Sequence, residues 1–279
     1  MDQNAKFETF RALHRRTGAF VVANPWDAGS ARLLAALGFE ALATTSAGYA
    51  FSVGTRDCMP GLRRDGLLQN AAGIASACDL PVSGDLGNGF GADPETCAQT
   101  VRMAAGVGLV GGSIEDATGD PADPIFDAGL AVERVRAAAE AAAGLPLMLT
   151  ARAENHLWGR ADLKDTIKRL QAFAEAGADV LFAPGLPDID AIRSVCREVD
   201  KPVNVVMGLQ GKNYSVAELS DAGVRRISVG GSFARAALGA LRRAGREVLE
   251  KGTFGYADDA IPHSAMDALM SAGAGASGR

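Results

Sequence analysis

Cysteine and histidine are scarce in this chain, at four and three in 279 residues. Cys58, Cys78, Cys97 and Cys196 form no C-x-x-C pair, and none stands at metal-ligand spacing from another cysteine or a histidine. Such a set fits a reducing cytoplasm, and His14, His156 and His263 are too scattered for a histidine-based metal site. Blocks of basic charge are missing too. No run of Lys or Arg exceeds two residues and the net charge is -5, which argues against a nucleic-acid partner. No apolar run approaches the ~18 residues that span a bilayer, so no membrane partner is expected. Residues 1–18 carry charge throughout and read as an amphipathic helix, not a signal peptide. There is no Gly-x-Ser-x-Gly elbow and no GxxxxGK[ST] loop. Lys6, Lys164, Lys168, Lys201, Lys212 and Lys251 all avoid the C-terminal ends of the expected strands, which counts against a Schiff-base aldolase.

What is present is an alternation of short apolar runs with longer helical patterns, repeated eight times. Strands are expected near 19–23, 40–45, 81–86, 109–114, 146–151, 179–183, 202–206 and 225–230. Helices are expected at 27–37, 63–79, 94–106, 129–143, 162–176, 188–199, 215–222 and 232–250. Strands separated by helices pair in parallel through crossovers. Eight such units suit a (β/α)8 TIM barrel, with an open doubly wound sheet as the alternative. Asp27 and Asp93-Pro94 are placed to start helices, and Gly38, Gly106, Gly144, Gly177 and Gly223 to end them. A single barrel domain is expected over residues 1–270, with a disordered polar tail at 271–279. Two connections, Ser46 to Leu62 and Ala117 to Ala128, exceed a minimal βα loop and read as lids or binding loops.

Three of the apolar runs end in charge: Ser83-Gly84-Asp85, Ser113-Ile114-Glu115-Asp116 and Thr150-Ala151-Arg152. In a closed parallel barrel those ends converge on the rim where chemistry is done. Asp85, with glycines around it, either binds a hydrated metal or serves as a turn residue. Glu115-Asp116 either contributes to a Mg2+ site or pairs with Arg152 in a structural network. Arg152 offers planar, bidentate recognition of a carboxylate or phosphate, with Asn155 and His156 one turn away. The run Thr44-Thr45-Ser46-Ala47-Gly48 offers hydroxyls and amides to a carboxylate, although Thr44 reads more simply as a strand residue. Gly230-Gly231-Ser232 is either a phosphate-binding helix start or a place of close packing.

These stations, in this order, resemble the isocitrate lyase/phosphoenolpyruvate mutase superfamily, over Asn24-Pro25-Trp26-Asp27 to about Leu249. The matching pieces are Thr45-Ser46-Ala47-Gly48, Gly84-Asp85 with Asn88-Gly89-Phe90-Gly91, Glu115-Asp116, Ala151-Arg152 with Asn155, and Pro202-Val203-Asn204. The resemblance implies a (β/α)8 barrel, a homotetramer, and an extended C-terminal helical segment swapped between subunits. It implies Mg2+ and a substrate related to a 2-oxo acid. By position, Asp85 would hold the metal and Glu115 its waters. Ser46, Ala47 and Gly48 would bind the substrate carboxylate, Arg152 its oxygens, and Asn204 would line the pocket. Asp57 falls where the family has an Asp after the second strand.

Two departures separate this chain from the family's named enzymes. Gly87 replaces the lyases' second acidic residue after the metal Asp. The lid segment ATGDPADPIFDA carries neither the lyases' Lys-Lys/Arg-Cys-Gly-His motif nor the mutases' Lys and Asn. The resemblance is therefore to a less-characterised branch. It implies a Mg2+-dependent carbon–carbon lyase on a small 2-oxo or 2-hydroxy dicarboxylic acid, through an enolate. Oxaloacetate-type decarboxylation stands slightly ahead of retro-aldol cleavage. Phosphonopyruvate or phosphoenolpyruvate P–C chemistry is one alternative, and a 2-oxo-acid-binding protein with little turnover is another.

Overall fold

A computed structural model describes residues 1–57 and 61–271. Cys58 and the tail beyond Ser271 lie outside the described residues. Eight parallel strands close into a barrel in chain order, which decides against the open sheet. They are β1 (Phe20–Ala23), β2 (Ala41–Ala43), β3 (Val82–Asp85), β4 (Gly111–Glu115), β5 (Met148–Arg152), β6 (Val180–Phe182), β7 (Val203–Val206) and β8 (Arg226–Ser228). β8 returns to pair with β1 through Phe20↔Arg226 and Val22↔Ser228, so no strand edge is left open.

Every expected helix forms within two residues of its sequence limits. They are α2 (Ala28–Ala36), α4 (Arg64–Ala77), α5 (Pro94–Gly106), α6 (Ala128–Ala142), α7 (Leu163–Glu175), α8 (Ile189–Glu198), α9 (Val216–Asp221) and α10 (Ser232–Lys251). The caps explain why. Asp27 accepts from Ser30 N while Ser30 returns a bond to the cap, and Asp93 accepts from Thr96 N just before a Pro at the first helical position.

Two helices frame the barrel. α1 (Gln3–Arg15) closes the N-terminal end, where Phe10 and Leu13 pack against Phe20, Val22, Ala41, Val110, Met148 and Val180. The connection after β2 is less irregular than the sequence suggested, because it begins with α3 (Ser46–Ser52). Thr45 caps that helix, its Oγ1 accepting from Gly48 N at 3.2 Å. After α10, a 3-10 turn (Gly255–Asp259) and α11 (His263–Ser271) form an extended helical segment with no buried residue. α11 rests on α2, where the Arg32 guanidinium donates to the Met270 carbonyl. Among the described residues no helix is long and apolar enough to cross a membrane.

Candidate active site at the barrel rim

Strand register brings the three charged ends together. Glu115 lies beside Arg152, Arg152 beside Phe182, and Asp85 beside Ser113 one strand further. Arg152 is the hub. Its NH1 reaches Asp85 Oδ1 at 3.2 Å and its NH2 reaches Glu115 Oε2 at 3.1 Å. Glu154 Oε1 accepts from both Nε, at 2.8 Å, and NH2, at 2.7 Å. The guanidinium lies over the Phe182 ring, 5.0 Å from its centroid.

Each carboxylate is positioned by backbone. Asp85 N–H donates to Thr44 Oγ1 at 2.9 Å, and Asp85 Oδ2 accepts from Ser46 N at 3.0 Å. Thr44 is thus a buried residue just past the end of β2, consumed in holding Asp85. Glu115 N–H bonds the Gly87 carbonyl at 3.0 Å. Its neighbour Asp116 turns the other way, as strand alternation requires. Asp116 pairs with Arg169 at 3.2 Å and accepts from Glu154 N at 2.8 Å, so it braces the site from behind.

Arg152, Glu115 and Glu154 line a cavity of about 500 Å3 that also touches Ser46, Asp57 and Gly87. A smaller cavity of about 260 Å3 continues into the barrel mouth, past Ala47 and Asn204 to Arg226. Asn204 is buried, accepting from Arg226 Nε at 2.8 Å and donating to Ser228 Oγ at 3.1 Å. In the 46–48 turn, Ser46 N–H is taken by Asp85 and Gly48 N–H by Thr45 Oγ1, whereas Ala47 N–H has no partner among the described residues. Gly48 lines neither cavity, and a Cβ there would stand 2.6 Å from Thr45 Cγ2, so its smallness serves packing. Gly231 packs in the same way, its notional Cβ 3.0 Å from Ala47 Cβ. Asn155 turns from the cavity towards α7, accepting from Thr166 Oγ1 at 3.0 Å.

The electrostatics follow from this enclosure. Burial raises the Glu115 carboxyl well above the ordinary range; Arg152 opposes this, while Glu154, Asp85 and Asp116 add to it. Burial brings Asp116 up to about 6, against the Glu154 N–H and Arg169. Burial alone would make Arg152 less basic, but Glu154, Glu115 and Asp85 outweigh it and hold the guanidinium charged. Asp57 is raised by its surroundings and by Asp85, with the Ser46 hydroxyl and Arg152 pulling the other way.

The donors facing the cavity are oxygens, the chemistry of a hard cation. Among the described residues no group of three or more Asp, Glu, His or Cys is gathered to hold a metal. Mg2+ keeps several of its waters and is held in proteins by as few as one or two carboxylates. Gly87 adjoins Asp85 at φ +53°, and a Cβ there would meet nothing within 4 Å, which leaves room for a hydrated ion.

The segment after Asp116 folds on itself. Ala117 bridges Ile125, Thr118 N–H donates to the Pro124 carbonyl at 2.9 Å, and the Asn88 amide donates to the Thr118 carbonyl at 3.2 Å. Only Ala117 and Gly119 of this segment line the cavity, so it brings no titratable group there. Sequence reasoning missed Glu154, although strand alternation places it on the same face as Arg152 two residues earlier. It also missed Arg226, whose signal was a charge at the start of an interior strand.

A sequence model for phosphoenolpyruvate phosphomutase matches residues 10–249. The fold is similar to a crystal structure from Burkholderia cenocepacia J2315 named as a candidate lyase/mutase, at 55% identity and TM-score 0.93, covering 96% of each chain. The sequence is 28% identical to the 2-methylisocitrate lyase of Escherichia coli, over 73% of this chain and 70% of that one. It is 26% identical to the oxaloacetate decarboxylase of Pseudomonas savastanoi pv. phaseolicola, over 78% and 75% respectively.

Proposed function

This chain belongs to the phosphoenolpyruvate phosphomutase family, and on that footing we propose that it is a Mg2+-dependent lyase acting on a small 2-oxo or 2-hydroxy dicarboxylic acid through an enolate. The observation that carries the reading is the convergence of Asp85 and Glu115 on Arg152, within 3.2 Å, with Glu115 facing the larger cavity, Asp85 the smaller one and Arg152 both. Bound at Asp85, with Glu115 holding its waters, Mg2+ would supply a Lewis acid for the 2-oxo oxygen.

The protein's own groups do the rest. The Ser46 hydroxyl and Ala47 N–H hold the substrate carboxylate, and Asn204 lines the floor. Arg152, fixed by three carboxylates, faces the oxygen on which charge develops as the C–C bond breaks. Such preorganised charge is often the largest catalytic contribution. Asp57, with its raised carboxyl, would return a proton to the enolate carbon. The folded 117–128 segment offers no base to deprotonate a substrate hydroxyl. Decarboxylation of an oxaloacetate-type acid needs none, because CO2 leaves with the bond and its electron pair stays as the enolate.

Pyruvate formation from oxaloacetate, assayed with Mg2+, should exceed the metal-only control and fall about 100-fold in Arg152→Lys, which loses the fork geometry. A rate no higher than the control overturns decarboxylation. Turnover of phosphonopyruvate in a 31P NMR time course would instead assign the site to P–C chemistry.

A further inference from the structure

Part of the cavity lining is apolar. The cavity that holds Arg152 and Glu115 is completed by Leu62, Leu67, Phe90, Leu157 and Trp158. At about 500 Å3 it is in the range of sites for drug-sized ligands, well beyond the needs of a four-carbon diacid. Leu157 and Trp158 are 51% and 38% exposed, although they stand beside the most polar cluster of the molecule. They are not loosely held. Leu157 N–H and Trp158 N–H both donate to the Glu154 carbonyl, at 2.9 and 3.3 Å, and the Glu154 side chain is tied to Arg152. Leu157 and Trp158 are therefore tied through Glu154 to the charged cluster.

Phe90 adds an independent sign. Among the described residues it is the one non-glycine at positive φ, +67°, held there by its N–H donating to Asn88 Oδ1 at 3.1 Å. Its neighbours Gly89 and Gly91 show that glycine is at home in this turn. A large side chain kept in a strained conformation at a cavity wall points to use of that side chain.

We propose that the acid taken by this site carries a bulky apolar substituent, alkyl or aryl, beyond its 2-oxo or 2-hydroxy carbon, and that Phe90, Leu157 and Trp158 receive it. This rests on the 2-oxo-acid reading above. Arg152 and the 46–47 turn hold the acid head, and the substituent leaves water against the apolar wall. Burying apolar carbon there should raise affinity about three- to fourfold per methylene.

The test uses the Mg2+-loaded full chain and a calorimetric series of unreactive probes: pyruvate, 2-oxobutyrate, 4-methyl-2-oxopentanoate and 2-oxo-4-phenylbutyrate. Affinity is expected to climb along the series, by at least about tenfold from first to last. Trp158→Ser should flatten that climb, with an unchanged melting temperature showing that the variant folds. If pyruvate binds and the series is flat or falls, the substituent is refuted while the 2-oxo-acid reading stands. If no member binds, the 2-oxo-acid reading fails, and this inference with it. If Trp158→Ser changes the oligomeric state and leaves the climb intact, the wall belongs to a subunit contact and the assignment of Trp158 is overturned.

Discussion

Arg152 faces three carboxylates with one guanidinium, and that imbalance sets the character of the site. An anionic substrate would meet a negative wall unless charge is added or removed. Two features reduce the repulsion: burial favours the neutral form of Glu115, and a divalent cation at Asp85 would supply the remainder. Deeper in, Arg226 is fully enclosed, donates to Asn204 and Thr150, and makes no ion pair among the described residues. Its charge reaches His14 of α1, whose Nε2 lies 3.5 Å from Arg226 NH1. Burial first, and Arg226 second, lower the His14 imidazole from 6.5 to about 3. The sign of the consequence is fixed: the unfolded chain protonates His14 below about 6.5, whereas the folded chain resists until about 3. Stability from this group is complete above pH 6.5 and is lost as pH falls between those values, by up to about 1.4 kcal/mol per pH unit. Urea unfolding followed from pH 7 to pH 4 should show this slope, reduced in His14→Gln. An identical slope in the variant would remove His14 from the account.

At the scale of elements, the strands and helices were legible because most β/α units repeat the same grammar: an apolar run, a cap, a helical stripe and a terminal glycine. Their ends carry the site, so Asp85, Glu115 and Arg152 could be read with them. α3 was not legible. Seven residues give too little periodicity, and its cap, Thr45, sits in a Thr-Thr-Ser run that also suits anion binding. Arg134 was missed for a different reason, since nothing in its helix sets it apart from a surface arginine. It is fully buried, stacks 4.0 Å from the Phe126 centroid, and donates to the carbonyls of Asn88, Gly91 and Glu115. One side chain of α6 thereby ties together the loop after β3, the end of β4 and the base of the 117–128 segment. Arg134→Met nearly keeps the volume and removes the guanidinium donor from those carbonyls, of which Asn88 keeps only the weak Cys97 thiol. Each unsatisfied group costs about 1–3 kcal/mol, so the variant should lose roughly that much or more by urea denaturation. Hydrogen exchange should rise at residues 88–91 and 117–126. Exchange unchanged in both loops would show that they hold without it.

At the scale of the molecule, exposed apolar residues gather on α10 and the segment after it. Of that helix only Ala234 is buried. Leu238, Leu241 and Leu249 are 44%, 68% and 87% exposed and fall on one face, since helical positions three, eight and eleven apart align. Phe254, Tyr256 and Ile261 continue the exposed apolar surface along the segment that ends in α11. An apolar tract of this extent at the C-terminal edge of a folded chain marks an association surface. We propose that a second copy of the chain covers it, in line with the tetramer and the exchanged C-terminal segment expected from the sequence resemblance. Light scattering coupled to size exclusion should give an integral multiple of the 28.7 kDa chain mass. Leu238→Glu with Leu241→Glu places two charges in the contact and should return the protein to 28.7 kDa, with the barrel's circular dichroism unchanged. A wild-type protein that runs as a monomer at micromolar concentration would leave α10 without a partner of its own kind.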